Sequence, residues 1–176
     1  MIAAFKRSQE GGRIMFIPPE PIYHPHKDRA GYYSTFDAIK IFGMKWGRLK
    51  SWIEEAYISP RYSVHEKRGK KSYFTERQLY AIRVFEKVVD FGISRKIASM
   101  CFYSFDQAWK QKVDTNVDFI IFELEDGLIS AIDFHAGEIN LAACDNYGDL
   151  LMMDFRAIYR DIKSGLEKLQ SSQSEK

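Results

Sequence analysis

Between Ser34 and Phe102 the chain starts and stops helices so often that only a compact unit of short helices around a hairpin can accommodate it. Ser34 with Asp37 three residues later has the form of a capping box, in which hydroxyl and carboxylate satisfy free N–H groups at a helix start. Apolar Ile39 and Phe42 follow, and Gly43 closes the helix where the chain must reverse, a position that favours positive φ. A second helix is expected from Lys45 to about Ala56. On it Trp46, Leu49 and Ile53 recur at spacings of three and four and form a core stripe, while Lys45, Arg48 and Trp52 lie along an adjacent basic and aromatic face. Ser59-Pro60 ends the pair. Tyr62 to His65 and Lys71 to Phe74 then read as two strands flanking the turn Glu66-Lys67-Arg68-Gly69-Lys70. Thr75 with Gln78 makes another capping box, opening a helix with Leu79, Ile82, Phe85 and Val89 inward and Gly92 as its left-handed stop. Ser94 starts the next helix, which is expected to end near Phe102.

Charge matters once it is divided along the chain. The total of +2 conceals fourteen Lys and Arg against seven Asp and Glu in residues 33–103, a net +7, and the reverse counts, a net −7, in residues 104–176. A short segment of that sign is the footprint of a phosphate-backbone binder, and the acidic remainder would be repelled by the same ligand. Arg61, Lys67, Arg68, Lys70 and Lys71 crowd one hairpin and would repel one another unless a polyanion met them.

The order helix, glycine turn, basic helix, Ser-Pro, basic wing, capped helix, Phe-Gly-Ile-Ser, helix resembles the MerR family of bacterial transcription regulators. The resemblance spans Tyr33 to Met100. It is carried by Tyr33, Gly43, Leu49 and Trp52, by Ile58-Ser59-Pro60, by Tyr73-Phe74-Thr75-Glu76, by Leu79 and by Phe91-Gly92-Ile93-Ser94. It implies a winged helix-turn-helix that binds duplex DNA, with one helix in the major groove and the wing on flanking phosphate. Departures are clear: the family's paired tyrosines become Ser51-Trp52, its arginine after the turn becomes Gly47, and the glycine closing its second helix becomes Ala56, so base preference does not transfer. The family's long dimerisation helix is replaced by Ser104, Asp106 and an acidic, strand-rich segment. Similar heads occur in excisionases and in the small subunits of viral DNA-packaging motors, so the resemblance supports DNA binding more strongly than promoter regulation.

In the acidic half, Asp118 to Glu125 carries Phe119-Ile120-Ile121-Phe122, Asp126-Gly127 makes a tight turn and Leu128 to Phe134 continues as a second strand. A third strand is expected around Glu138 to Ala142, then a helix from about Gly148 to Leu169, with Asp149 at its start. Its stripe Leu151, Phe155, Ile158, Ile162 and Leu169 is close to heptad and is read as a homodimer contact, packing onto the hairpin being the alternative. Residues 1–31 hold four of the five prolines and read as an extended or mobile arm. Glu10-Gly11-Gly12 is consistent with a ribosome-binding sequence upstream of Met15, which makes Met15 the expected translation start.

The fold class expected is therefore α+β: an arm over 1–31, a winged head over 32–103 and an acidic α/β body over 104–176. Candidate DNA contacts are Lys45, Trp46, Arg48, Lys50, Trp52, Arg61, Lys67, Arg68, Lys70, Lys71 and Tyr73. Lys45 and Arg48 are expected nearest base edges, Lys50 and Trp52 toward the sugar-phosphate backbone. Partners expected are double-stranded DNA and a second copy of the chain, with RNA polymerase or another protein open for the acidic half; an adaptor that has lost DNA binding is the further alternative. No cofactor or metal is expected. His24, His26 and Asp28 lie in the arm, Asp145 to Asp149 lacks the ligand spacing of a calcium loop, and Cys101 and Cys144 have no zinc-type spacing. No nucleophile elbow, phosphate loop or dinucleotide fingerprint occurs, so no enzymatic activity is expected. Neither a long apolar run nor a signal-peptide stretch is present, which makes a cytoplasmic address the expectation.

Overall fold

A computed structural model describes residues 5–7, 14–16, 31–66, 69–108, 117–125, 128–134 and 149–174, and their arrangement is mixed helix and strand. Strand β1 (Phe5–Arg7) pairs antiparallel with β2 (Ile14–Phe16), Phe5 opposite Phe16. The expected arm thus contains a hairpin, with Met15 inside its second strand. Three-residue strands are too short to show a period in sequence.

Strand β3 (Tyr32–Ser34) runs directly into α1 (Thr35–Phe42). The capping box is formed as expected: the Asp37 N–H donates to the Ser34 hydroxyl at 3.1 Å, and the Ser34 N–H donates to the Asp37 carboxylate at 2.9 Å. Gly43 follows at φ 65°, in the left-handed region. Helix α2 (Trp46–Glu54) ends at Glu55, and Ala56 at φ 58° fills the left-handed position beyond it. Strands β4 (Tyr62–Glu66) and β5 (Gly69–Thr75) pair from Tyr62 opposite Tyr73 to Glu66 opposite Gly69, so both are longer than the sequence suggests. β3 adds to the other side of β5, which makes a three-stranded antiparallel sheet. Thr75 and Gln78 cap α3 (Glu76–Asp90), and Gly92 at φ 85° turns the chain into α4 (Arg95–Ala108).

Helix α4 runs well past the expected end near Phe102, so the expected boundary at 103/104 falls inside it. Strands β6 (Phe119–Glu125), β7 (Leu128–Phe134) and β8 (Asp149–Asp154) form a second antiparallel sheet in the order β7-β6-β8. The hairpin is as expected; β8 is not, since residues 149–154 were expected to begin a helix. β8 forms because it pairs with β6, which sets Met153 opposite Ile120 and Leu151 opposite Phe122 on one inward face. The helix, α5 (Phe155–Ser174), starts only after Asp154, whose carboxylate accepts from the Ala157 N–H at 3.1 Å. The expected turn 126–127 and third strand 138–142, and Asp145 to Gly148, lie outside the described residues.

The buried face of α5 comprises Phe155, Ile158, Ile162, Leu166 and Leu169, and it lies against α1 and α3 of the same chain. Gly165 permits the approach: a Cβ there would sit 2.6 Å from the Ile41 carbonyl oxygen. Tyr80 of α3 stacks on Tyr159 of α5 at 6.1 Å, and Phe155 meets Phe105 of α4 at 5.9 Å. The stripe assigned to dimerisation is therefore internal. Phe155, Ile158, Ile162 and Leu169 are buried because α1 and α3 already cover α5, and Leu151 is half-buried on β8, paired opposite Phe122. One core cluster runs from Ala38 to Leu169.

Candidate nucleic-acid interface

The orientation of α2 is fixed by what it buries. Leu49 is fully buried, and Trp52, only 1% exposed, meets Phe85 of α3 edge-on at 4.7 Å. The Arg48 guanidinium caps this contact. It lies 4.8 Å over the Trp52 ring and reaches Asp90 at 2.5 Å and Glu86 at 3.4 Å, both on α3. Trp52, expected at the sugar-phosphate backbone, is a core side chain. Arg48, expected at base edges, ties α2 to α3.

This rotation presents a different face from the expected one. Trp46, expected in the core stripe as well as at DNA, is 50% exposed, and Gly47, Lys50 and Glu54 are exposed beside it. Lys50 reaches Glu54 at 3.5 Å, one helical turn on. Lys45 occupies the N-cap position with no side-chain cap bond, and the first turn of α2 holds no acidic residue. α1 and α3 open with capping boxes, whereas α2 has no side-chain cap and meets one early N–H internally, that of Arg48 donating to the Lys45 carbonyl at 3.0 Å; the helix dipole favours an anion at such a start.

On the β4–β5 hairpin, Lys70 and Lys71 are exposed, opposite His65 and Val64. Arg61 is exposed just before β4, its N–H donating to the Tyr73 carbonyl at 2.8 Å. Tyr73, expected at DNA, is buried: its ring stacks on Tyr62 at 4.8 Å, and Tyr32 meets Tyr62 edge-on at 5.0 Å. This sheet face needs its aromatics for cohesion. Lys67 and Arg68 lie outside the described residues.

The described cations sort into two sets. Arg48, Lys50, Arg77, Arg83, Arg95 and Arg156 each pair with a carboxylate of the chain. Among the described residues, Lys45, Arg61 and Lys70 have no carboxylate within ion-pair distance, and the same holds for Lys40, Lys87 and Lys96 and for Arg160, Lys163 and Lys168 of α5. Lys40, which the sequence reading did not single out, lies 4.6 Å over the exposed Phe36 ring on α1. Nothing in its local pattern separates it from an ordinary solvated lysine.

The groups displaced from their ordinary pKa lie elsewhere. Burial foremost raises Tyr33, Tyr80, Cys101 and Tyr103, with Glu76 adding to the first two. Among the described residues no three His, Cys, Asp or Glu side chains could hold a metal ion, and no helix is long and apolar enough to cross a membrane. His24, His26, Asp28 and Cys144 lie outside them. No family model and no curated protein matches the chain.

Proposed function

We propose that the chain is a sequence-specific duplex-DNA-binding protein of the transcription-regulator kind, whose residues 32–103 act as a MerR-like winged helix-turn-helix. The observation that carries this reading is the pair of exposed cationic sites in residues 32–103, at the start of α2 and on the β4–β5 hairpin. Cations on the α2–α3 and α3–α5 seams are neutralised internally, while Lys45 and the wing's Arg61 and Lys70 face solvent unpaired. An unpaired cation at the start of a helix without a side-chain cap, together with unpaired cations on the β4–β5 hairpin, suits a phosphate backbone better than a small ligand or a neutral partner.

In this reading α2 enters the major groove with Trp46 and Lys50 toward base edges. Lys45 and the α2 N-terminus take one phosphate run, and Arg61, Lys70 and Lys71 grip the flanking one. Arg48 serves as scaffold. A second head on a pseudo-palindromic site, about 34 Å away, would complete recognition, through a surface other than the buried stripe of α5.

The test is the affinity of the full chain for labelled duplex DNA as salt is raised. Affinity should fall linearly on a log–log plot, and Lys70→Ala should reduce the slope by about one unit on every sequence. Affinity that ignores salt, or no duplex binding at all, refutes the proposal.

A further inference from the structure

We infer that Trp46 and Gly47 form the base-reading surface of α2 and select A·T-rich major groove by apolar contact with thymine methyl groups. The inference rests on the duplex-DNA reading above and names which bases that surface prefers. Arg48 is the one arginine of α2, and the guanidinium fork is the side chain best matched to guanine O6 and N7. It is already committed to Asp90, Glu86 and the Trp52 ring, so guanine recognition by that fork is foreclosed. What the helix presents beside Lys50, which reaches Glu54 at 3.5 Å, is an indole that is half exposed. Its surface is apolar apart from a single N–H donor, and thymine alone offers a methyl group in the major groove.

Gly47 supplies the independent observation. Glycine inside a helix is unfavourable, and this one has neither a left-handed φ nor a neighbour that needs its bareness: an added Cβ would meet nothing within 4 Å. Contrast Gly165, where a Cβ would strike Ile41. A glycine that the protein's own packing does not require, exposed next to an exposed tryptophan, clears the space an outside surface would fill. The occupant is a polyanion rather than an apolar partner, because Lys45, the exposed residue that opens this face, has no carboxylate partner among the described residues.

The experiment selects duplexes from a random pool with the full chain, then replaces thymine by deoxyuridine in the selected site one position at a time, removing only the methyl. Selected sites should be A·T-rich, and each contacted methyl should be worth about fourfold in Kd, the value of one buried methylene-sized group. Trp46→Ala should abolish that dependence while keeping the salt slope. Gly47→Ala should raise Tm by about 2–4 °C and yet weaken binding on the order of tenfold, a split that a structural role for the glycine cannot produce. Salt-dependent binding that ignores deoxyuridine, or a Gly47→Ala chain that binds as well as the parent, overturns this inference and leaves the duplex-DNA reading standing. Absence of duplex binding overturns both.

Discussion

Ala56 carries backbone strain in the open. Its φ of 58° closes α2 in a conformation that costs an alanine roughly 1–2 kcal/mol and a glycine nothing steric. Glycine loses about 0.5–1 kcal/mol through the extra freedom of the unfolded chain, so relief wins narrowly. Ala56→Gly should stabilise the protein by about 0.5–1 kcal/mol, seen as a higher urea midpoint at unchanged m-value; a lower midpoint would mean the loop relaxes the strain another way. Alkaline stability is set by residues of the opposite kind, deeply buried and neutral. Burial pushes the Cys101 thiol from its ordinary 9.0 up to about 12. Burial likewise lifts the Tyr103 hydroxyl from 10.0 to about 12, against the opposing effect of its 2.8 Å hydrogen bond to Ser59. Both folded values lie above the unfolded ones, so the stability they contribute is whole below pH 9 and is lost as pH rises toward 12, at about 1.4 kcal/mol per unit and group. Tm should fall steadily above pH 9, and Cys101→Ala should shallow that fall by about one proton's worth. An unchanged slope would show that the thiol titrates without opening the core.

At the scale of elements, α5 comes close to the backbone of α1 where Gly165 crosses Ile41. A methyl there meets a carbonyl oxygen, which cannot rotate away as a side chain can, so α5 must lift from α1. The gain in helix propensity, about 1 kcal/mol, offsets only part of an overpacking cost of about 1–3 kcal/mol or more. Gly165→Ala should therefore destabilise by roughly 1–2 kcal/mol in urea; stabilisation would mean the helices slide freely. Such crossings are illegible in sequence, where Gly165 looks like any helix-weakening glycine. What was legible is what a few adjacent residues write: the capping boxes at Ser34 and Thr75, the turns at Gly43 and Gly92, and the β6–β7 hairpin. Where distant partners decide, local pattern failed. Leu150 to Met153 is a short apolar run that suits helix or strand, and only β6 makes it a strand. Helical periodicity located two tryptophans on α2 but not which of them α3 would take; Phe85 and Asp90 chose Trp52 and Arg48, leaving Trp46 outside. The spacing along α5 correctly marked Phe155, Ile158, Ile162 and Leu169 as a covered face, yet the cover is α1 and α3 of the same chain.

For the whole molecule, the division of charge into a +7 head and a −7 body reads at first as two surfaces for two tasks. Part of it is internal. Arg77 bonds Asp106 at 2.7 Å, and Arg83, bound to Glu86 on its own helix, reaches Asp161 of α5 at 3.1 Å. A relay of charge thus runs from Arg48 on α2 through Glu86 and Arg83 on α3 to α5. Apolar packing joins the same parts more strongly, because Phe155, Ile158, Ile162, Leu166 and Leu169 are buried against elements of the head and at about 1.5–3 kcal/mol each contribute an upper estimate of about 7–15 kcal/mol. That equals the entire net stability of an ordinary domain. A fragment ending at residue 103 would also cut α4 in its middle. It should fail to fold, with a far-ultraviolet spectrum well short of native helix and no cooperative melt, while the full chain unfolds in one transition by helix content and by tryptophan fluorescence alike. Two separated transitions, or a fragment that melts cooperatively, would restore the picture of an autonomous head with a detachable body. If the fragment fails, residues 104–174 are structural support for residues 32–103, and under the proposed function any ligand or partner that loosens α5 from α1 would weaken DNA binding by the coupling free energy between the two.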